Sequence, residues 1–187
     1  AYALLMQGLA TTAEATRRHR AAAAFYRHAA KAGAGVSARL GWCRCQFHLG
    51  AAAEAADALK TLMEPLENAV HPGASSLHVH VTSPAVGAGL GVGRLLSPTV
   101  EARAFQLAAL ARVDEVQALA VLEALQDDDH IVQIASLLSP EEGQAQTFWR
   151  TLMKRALAAR PRMVLQAQQE RAPMWQAWLE RLEHGEG

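Results

Sequence analysis

The sequence predicts an all-α protein assembled from helical hairpins in series. Two observations on spacing and one on composition lead there. Apolar residues recur at steps of four and three along consecutive segments, the signature of one buried helix face. The same pattern returns after about one hairpin length, since Ala22, Tyr26 and Ala29 repeat the spacing of Ala55, Leu59 and Leu62, and Ala22 precedes Ala55 by 33 residues. Hydrophobic residues make up 51% of the 187-residue chain but aromatic ones only 5%. The apolar surface is therefore mostly Ala, Leu and Val, which suits helices packed closely rather than a thick aromatic core.

The elements follow in chain order. Residues 3–34 contain a first hairpin ending in AAAAFYRHAAKAG. Residues 36–65, VSARLGWCRCQFHLGAAAEAADALKTLMEP, read as a helix to about Leu49, a turn at Gly50 and a second helix ending at Pro65. Gly50 suits that place because glycine takes a left-handed conformation at little cost. Residues 66–98 form a Gly/His-rich insertion. Ser97-Pro98-Thr99 then has the chemistry of a helix start, predicting a helix over 99–112. A helix over 113–126 carries Ala118, Leu122 and Leu125 at the familiar spacing, with Val113 where a turn glycine would stand. Asp127-Asp128-Asp129 separates it from a short helix at about 130–138. Ser139-Pro140-Glu141-Glu142 predicts another start, leading a helix from about 140 to 159 that Arg160-Pro161 interrupts. A last helix, with Pro173 as a candidate break, places Trp175, Trp178 and Leu182 on one face and forms a C-terminal helical cap.

The order Cys43, Gly50, Ala55, Leu59, Pro65 resembles the tetratricopeptide repeat, a helix-turn-helix unit of about 34 residues that stacks into a superhelix. The resemblance covers residues 36–65 best, 3–34 less well and 100–126 least. The stretch VDEVQALAVLEALQDDDHIVQIASLL also resembles a HEAT-type helix pair with an acidic turn. The tetratricopeptide resemblance implies a solenoid over residues 1–65, resumed as further hairpins over 99–187. It implies a peptide-binding groove lined by the first helix of each repeat: Gln7 and Thr11 in one repeat, Ser37, Leu40, Arg44 and His48 in the next. Arg44 and His48 would then receive a carboxylate from a partner.

The insertion contains the segment that differs most from the rest. SSLHVHVTSPAVGAGLGVGRLLSP, residues 75–98, alternates Val and His and then places glycines at 87, 89, 91 and 93. Neither a dinucleotide fingerprint nor a phosphate loop fits, because the sixth position from Gly87 is Val92 and from Gly89 is Arg94, and no Gly-Lys-Ser/Thr follows. LHVHVTS is the best strand candidate, predicting a small β-hairpin with a second strand over 86–94. His78 and His80 would share one side of that strand, and with His71 they form an alternative metal or ligand site. No Asp, Glu or Cys lies between His71 and Arg94 to complete such a site, so no metal and no cofactor is expected.

No arrangement of nucleophile and base appears, and Asp127-Asp128-Asp129 lacks the alternating ligands of a calcium loop. The chain is read as non-enzymatic. Its net charge is zero, against a nucleic-acid or membrane-surface binder. The distribution is uneven, with seven Lys/Arg against Glu14 alone in residues 1–45. Arg20, Arg27 and Lys31, seven and four apart, form a strip suited to an acidic protein or peptide partner. Trp175 and Trp178 either cap the array or dock a second copy. Cys43 and Cys45 point about 200° apart on a helix, so they do not pair, which fits a reducing compartment such as cytoplasm or nucleus. No apolar run is long enough to span a membrane. The opening AYALLMQGLA lacks an initiating Met, predicting a piece of a longer protein. Function is expected to be protein–protein interaction or scaffolding.

Overall fold

A computed structural model describes residues 1–68, 98–141, 143–159 and 166–183, and among these every regular element is a helix. The chain divides into two compact units, residues 1–109 and 110–187. Unit 1 contains α1 (Tyr2–Ala15), α2 (His19–Lys31), α3 (Gly35–His48), α4 (Ala52–Asn68) and most of α5 (Pro98–Val113). Unit 2 contains the last turn of α5, then α6 (Glu115–Ala124), α7 (Asp128–Leu137), α8 (Gln146–Ala158) and α9 (Gln166–Glu183).

In unit 1 the helices pack serially, α1 on α2, α2 on α3 and α3 on α4, with α1 also touching α3. Their turns share one design. Each helix closes on a residue in the left-handed region, Arg17 (φ 58°), Gly33 (φ 92°) and Gly50 (φ 84°). After each, the next N–H reaches back to an otherwise unsatisfied carbonyl: Arg18 to Ala13 at 2.8 Å, Ala34 to Ala29 at 2.9 Å, Ala51 to Gln46 at 3.0 Å. Arg17 and Gly50 lie 33 residues apart in the sequence, so the turn geometry repeats with the apolar spacing.

The predicted faces are buried. Ala22, Tyr26 and Ala29 are at most 2% exposed, and Ala55, Leu59 and Leu62 at most 3%. The α1–α3 core is alanine-rich, with Ala10, Ala22, Ala29 and Ala38 fully enclosed. Small side chains let the helix backbones approach closely, and Gly41 takes this furthest. A methyl group there would stand 2.4 Å from the Tyr26 ring.

Unit 2 is arranged around α8, which touches α6, α7 and α9. Phe148 and Trp149 pack edge to face at 5.0 Å, and Leu152, Met153 and Ala156 complete a wholly buried face. Trp175, Trp178 and Leu179 of α9 supply more of this core. The starts of α6 and α7 are capped by aspartates, Asp114 accepting from Gln117 N–H at 3.0 Å and Asp127 from Asp129 N–H at 2.9 Å.

Several boundaries differ from expectation. α4 runs three residues past Pro65, so the proline lies inside the helix rather than ending it. Pro173 likewise lies within α9. α8 begins at Gln146 rather than about 140, because Gly143 (φ 79°) and Ala145 (φ 49°) are left-handed and Glu141 is drawn to Arg112. The predicted β-hairpin lies outside the described residues, as does the Arg160-Pro161 break.

Candidate functional site

The most highly organised polar site is a buried ionic cluster in unit 1. Arg44, on α3, is 2% exposed. Its Nε donates to Glu14 Oε1 and its Nη2 to Glu14 Oε2, both at 2.8 Å, a bidentate fork. Nη1 donates to Glu101 Oε1 of α5 at 2.7 Å. The Tyr26 hydroxyl of α2 donates to Glu14 Oε2 at 2.7 Å. One guanidinium thus joins two buried carboxylates and a phenol, drawing α1, α2, α3 and α5 to one point.

The electrostatics follow from the geometry. Burial by itself raises the Glu14 carboxyl, but Arg44's hydrogen bonds and charge and the Tyr26 hydroxyl outweigh it and hold the group below its ordinary value of 4.5. Burial by itself lowers Arg44, yet the Glu14 hydrogen bonds and the charges of Glu101 and Glu14 raise it well above its usual value. Tyr26 is raised by burial and by the Glu14 charge and hydrogen bond, so it stays a neutral donor.

This corrects the expectation that Arg44 receives a partner's carboxylate. The carboxylate it holds belongs to Glu14, thirty residues earlier. Leu40 is fully buried and lines no open groove. Ser37 is partly covered and accepts a hydrogen bond from Gln7 Nε2 at 2.9 Å. Only His48 of that set is exposed, and it stacks on His19 with ring centroids 4.8 Å apart. Gln7–Ser37 and Glu14–Arg44 are both 30 residues apart and both lie seven apart along their helices. Two such cross-links fix α1 parallel to α3. Of the residues expected to face a groove together, Gln7 and Ser37 bond each other, while Arg44 holds Glu14 and His48 stacks on His19.

Unit 2 shows the same relation with other chemistry. Glu115, in the first turn of α6, accepts from Phe148 N–H at 2.9 Å at the start of α8. Arg155, in the last turn of α8, donates to the carbonyls of Leu122 and Leu125 at 2.5 and 2.6 Å at the end of α6. Start meets start and end meets end, so α6 and α8 run parallel, and both Glu115–Phe148 and Leu122–Arg155 span 33 residues.

Arg20, Arg27 and Lys31 are exposed along α2, as the spacing implied. Trp175 and Trp178, read as capping the array or docking a second copy, are 2% and 6% exposed on α9. His71, His78 and His80 lie outside the described residues. Among the described residues no group of three or more His, Cys, Asp or Glu is placed to hold a metal ion, and no helix is long and apolar enough to cross a membrane.

Sequence reasoning missed Glu14, Tyr26 and Glu101 as partners of Arg44. The available signal was the isolation of Glu14 as the single acid among seven Lys/Arg in residues 1–45. It also missed a cleft of about 390 Å³ between α2, α3 and α4, floored by Trp42 and Cys43. Comparison with known proteins finds no matching family model, no matching curated protein and no matching solved structure.

Proposed function

We propose that the chain is a protein–protein interaction module built as a tetratricopeptide-like array of helical hairpins. Support for the array comes from the parallel pairs α1/α3 and α6/α8 at offsets of 30 and 33 residues. The turns at Arg17, Gly33 and Gly50 follow at steps of 16 and 17 residues, half of that repeat. Such a repeat buries one face of each helix on its neighbours and leaves the other for partners.

One observation carries the interaction role. The first helix leaves a ridge of large apolar side chains in solvent, with Tyr2 56%, Leu5 59% and Leu9 41% exposed at steps of three and four, and Leu4 75% exposed beside them. A contiguous apolar stripe is the kind of surface that another protein covers. The partner favoured is a helix with an apolar face, from another protein or a second copy. The exposed cations Arg20, Arg27 and Lys31 of α2 favour acidic character in that partner.

Leu5→Glu with Leu9→Glu tests the ridge, since both side chains are exposed and the fold does not depend on them. The double variant is expected to cut capture of a partner from the source lysate at least tenfold. Where the partner is a second copy, it abolishes the concentration-dependent mass in light scattering. Unchanged capture together with unchanged mass disproves the reading.

A further inference from the structure

The cleft in unit 1 exists because of where small residues fall. Ala30 of α2 and Ala58 of α4 stand on opposite walls, and Thr61 continues the α4 wall one turn on. Larger side chains at these places would close the gap over α3. Instead the Trp42 ring is left half-exposed between them, above the buried Cys43 and Leu62. The volume, about 390 Å³, falls within the range of roughly 300–1,000 Å³ that small-molecule sites occupy.

Among the described residues that line it, the charged ones are both cationic. Arg27 precedes Ala30 by one turn on α2, and Arg39 precedes Trp42 by one turn on α3, so each guanidinium stands beside an apolar wall. Both are exposed, and among the described residues neither is paired with a carboxylate and no acid lines the cleft. The Cys43 thiol, pushed up to about 12 by burial, stays protonated and keeps the floor neutral. An apolar slot with two cationic forks at its edge complements a molecule that is apolar along its body and anionic at one end.

We infer that this cleft binds a small amphiphilic anion, with a single aliphatic tail lying along Trp42 between α2 and α4 and its headgroup held by Arg27 and Arg39. The inference does not rest on the α1 ridge, since none of these residues belongs to α1, and shares with the interaction reading only Arg27 of the α2 strip. Carboxylate and phosphate headgroups share the required chemistry, and the choice of probe separates them.

The test follows the indole N–H resonance of Trp42, assigned with Trp42→Phe, during titration with octanoate, octyl phosphate, octanol and butyrate. Saturable shifts are expected with octanoate, octyl phosphate or both, and whichever binds tighter identifies the headgroup. Octanol, lacking charge, and butyrate, lacking a tail, should each bind at least tenfold more weakly. Arg27→Gln with Arg39→Gln should weaken the better probe at least tenfold. Ala58→Leu, which fills the slot, should abolish binding, with circular dichroism confirming the helices. The exposed arginine pair keeps the question decidable even if Ala58→Leu perturbs the fold. Several results would overturn the proposal: no saturable shift with either anion, equal binding of octanol, undiminished binding in the arginine variant, or undiminished binding in a folded Ala58→Leu. A Trp42 response to an acidic leucine-rich peptide but to neither amphiphile would also overturn it.

Discussion

Units 1 and 2 solve the same problem with opposite chemistry. Each holds two parallel helices, α1/α3 and α6/α8, joined at two points by polar contacts seven residues apart. Unit 1 places its strongest contact in the interior, where Arg44 and Glu14 are 3% and 4% exposed along their side chains. Unit 2 places its contacts at helix ends, where part-exposed Glu115 and Arg155 meet backbone groups that the helices leave unsatisfied. The apolar cores compensate in the reverse sense. Unit 2 fills its interior with Phe148, Trp149, Trp175 and Trp178, while the α1–α3 core relies on alanine around Tyr26. An alanine core buries little area, so the α1–α3 part of unit 1 draws its definition from close approach and a buried ionic cluster. Unit 2 draws its own from bulk and caps.

That contrast predicts unequal sensitivity to loss of one arginine. Arg44→Met leaves Glu14 and Glu101 buried without their guanidinium, and removal of one partner of a buried pair costs about 3–5 kcal/mol. Chemical denaturation of the variant is expected to show this as a large fall in midpoint. The pH dependence should also change sign. In the native chain the Glu14 carboxyl is depressed, so its contribution is complete above 4.5 and is lost as pH falls through the lower folded value. Without Arg44 burial dominates and the carboxyl is raised. The variant should therefore regain stability on acidification while the native protein loses it. Parallel acid profiles for the two would show that the cluster is not what sets the acid limb.

Gly41→Ala tests close approach rather than charge. The new methyl meets the Tyr26 ring at 2.4–2.7 Å, and Tyr26 is itself tied to Glu14. Overpacking of this kind costs about 1–3 kcal/mol. A shift in thermal midpoint is expected, and Gly41→Ala combined with Tyr26→Phe should be non-additive because the two positions touch.

In unit 2 the expected effect is the smallest. Arg155→Gln removes charged donors from the Leu122 and Leu125 carbonyls, but water can reach part of the site. A loss of about 1–2 kcal/mol in a denaturation series is expected. A loss as large as that of Arg44→Met would erase the distinction between the two units.

What the sequence discloses also differs between features. The buried faces of Ala22/Tyr26/Ala29 and Ala55/Leu59/Leu62 were legible because helical spacing reports angular position directly. The Trp175/Trp178 face was legible as a stripe for the same reason. Arg44 was not, because angular position says nothing about depth, and the partner that draws it inward lies thirty residues away. The start of α8 was misplaced for a related reason. Ser139-Pro140-Glu141-Glu142 has the local chemistry of a helix start, but Glu141 accepts from Arg112 Nε at 2.9 and 3.0 Å, a contact 29 residues away in the sequence. The cleft depends on what Ala30 and Ala58 fail to fill, and absent volume leaves little trace in a periodic pattern.

The two cysteines of α3 provide the protein with an internal clock. Cys43 and Cys45 are free and nearly inaccessible, and burial pushes both thiols up to about 12. At neutral pH an alkylating reagent therefore waits for α3 to open before it meets a reactive thiolate. The two sulfurs lie on different sides of the helix, Cys43 toward the α4 cleft and Cys45 in the α1–α2 core. Equal labelling rates would mean that the unit breathes as a whole, and unequal rates would reveal which side loosens first.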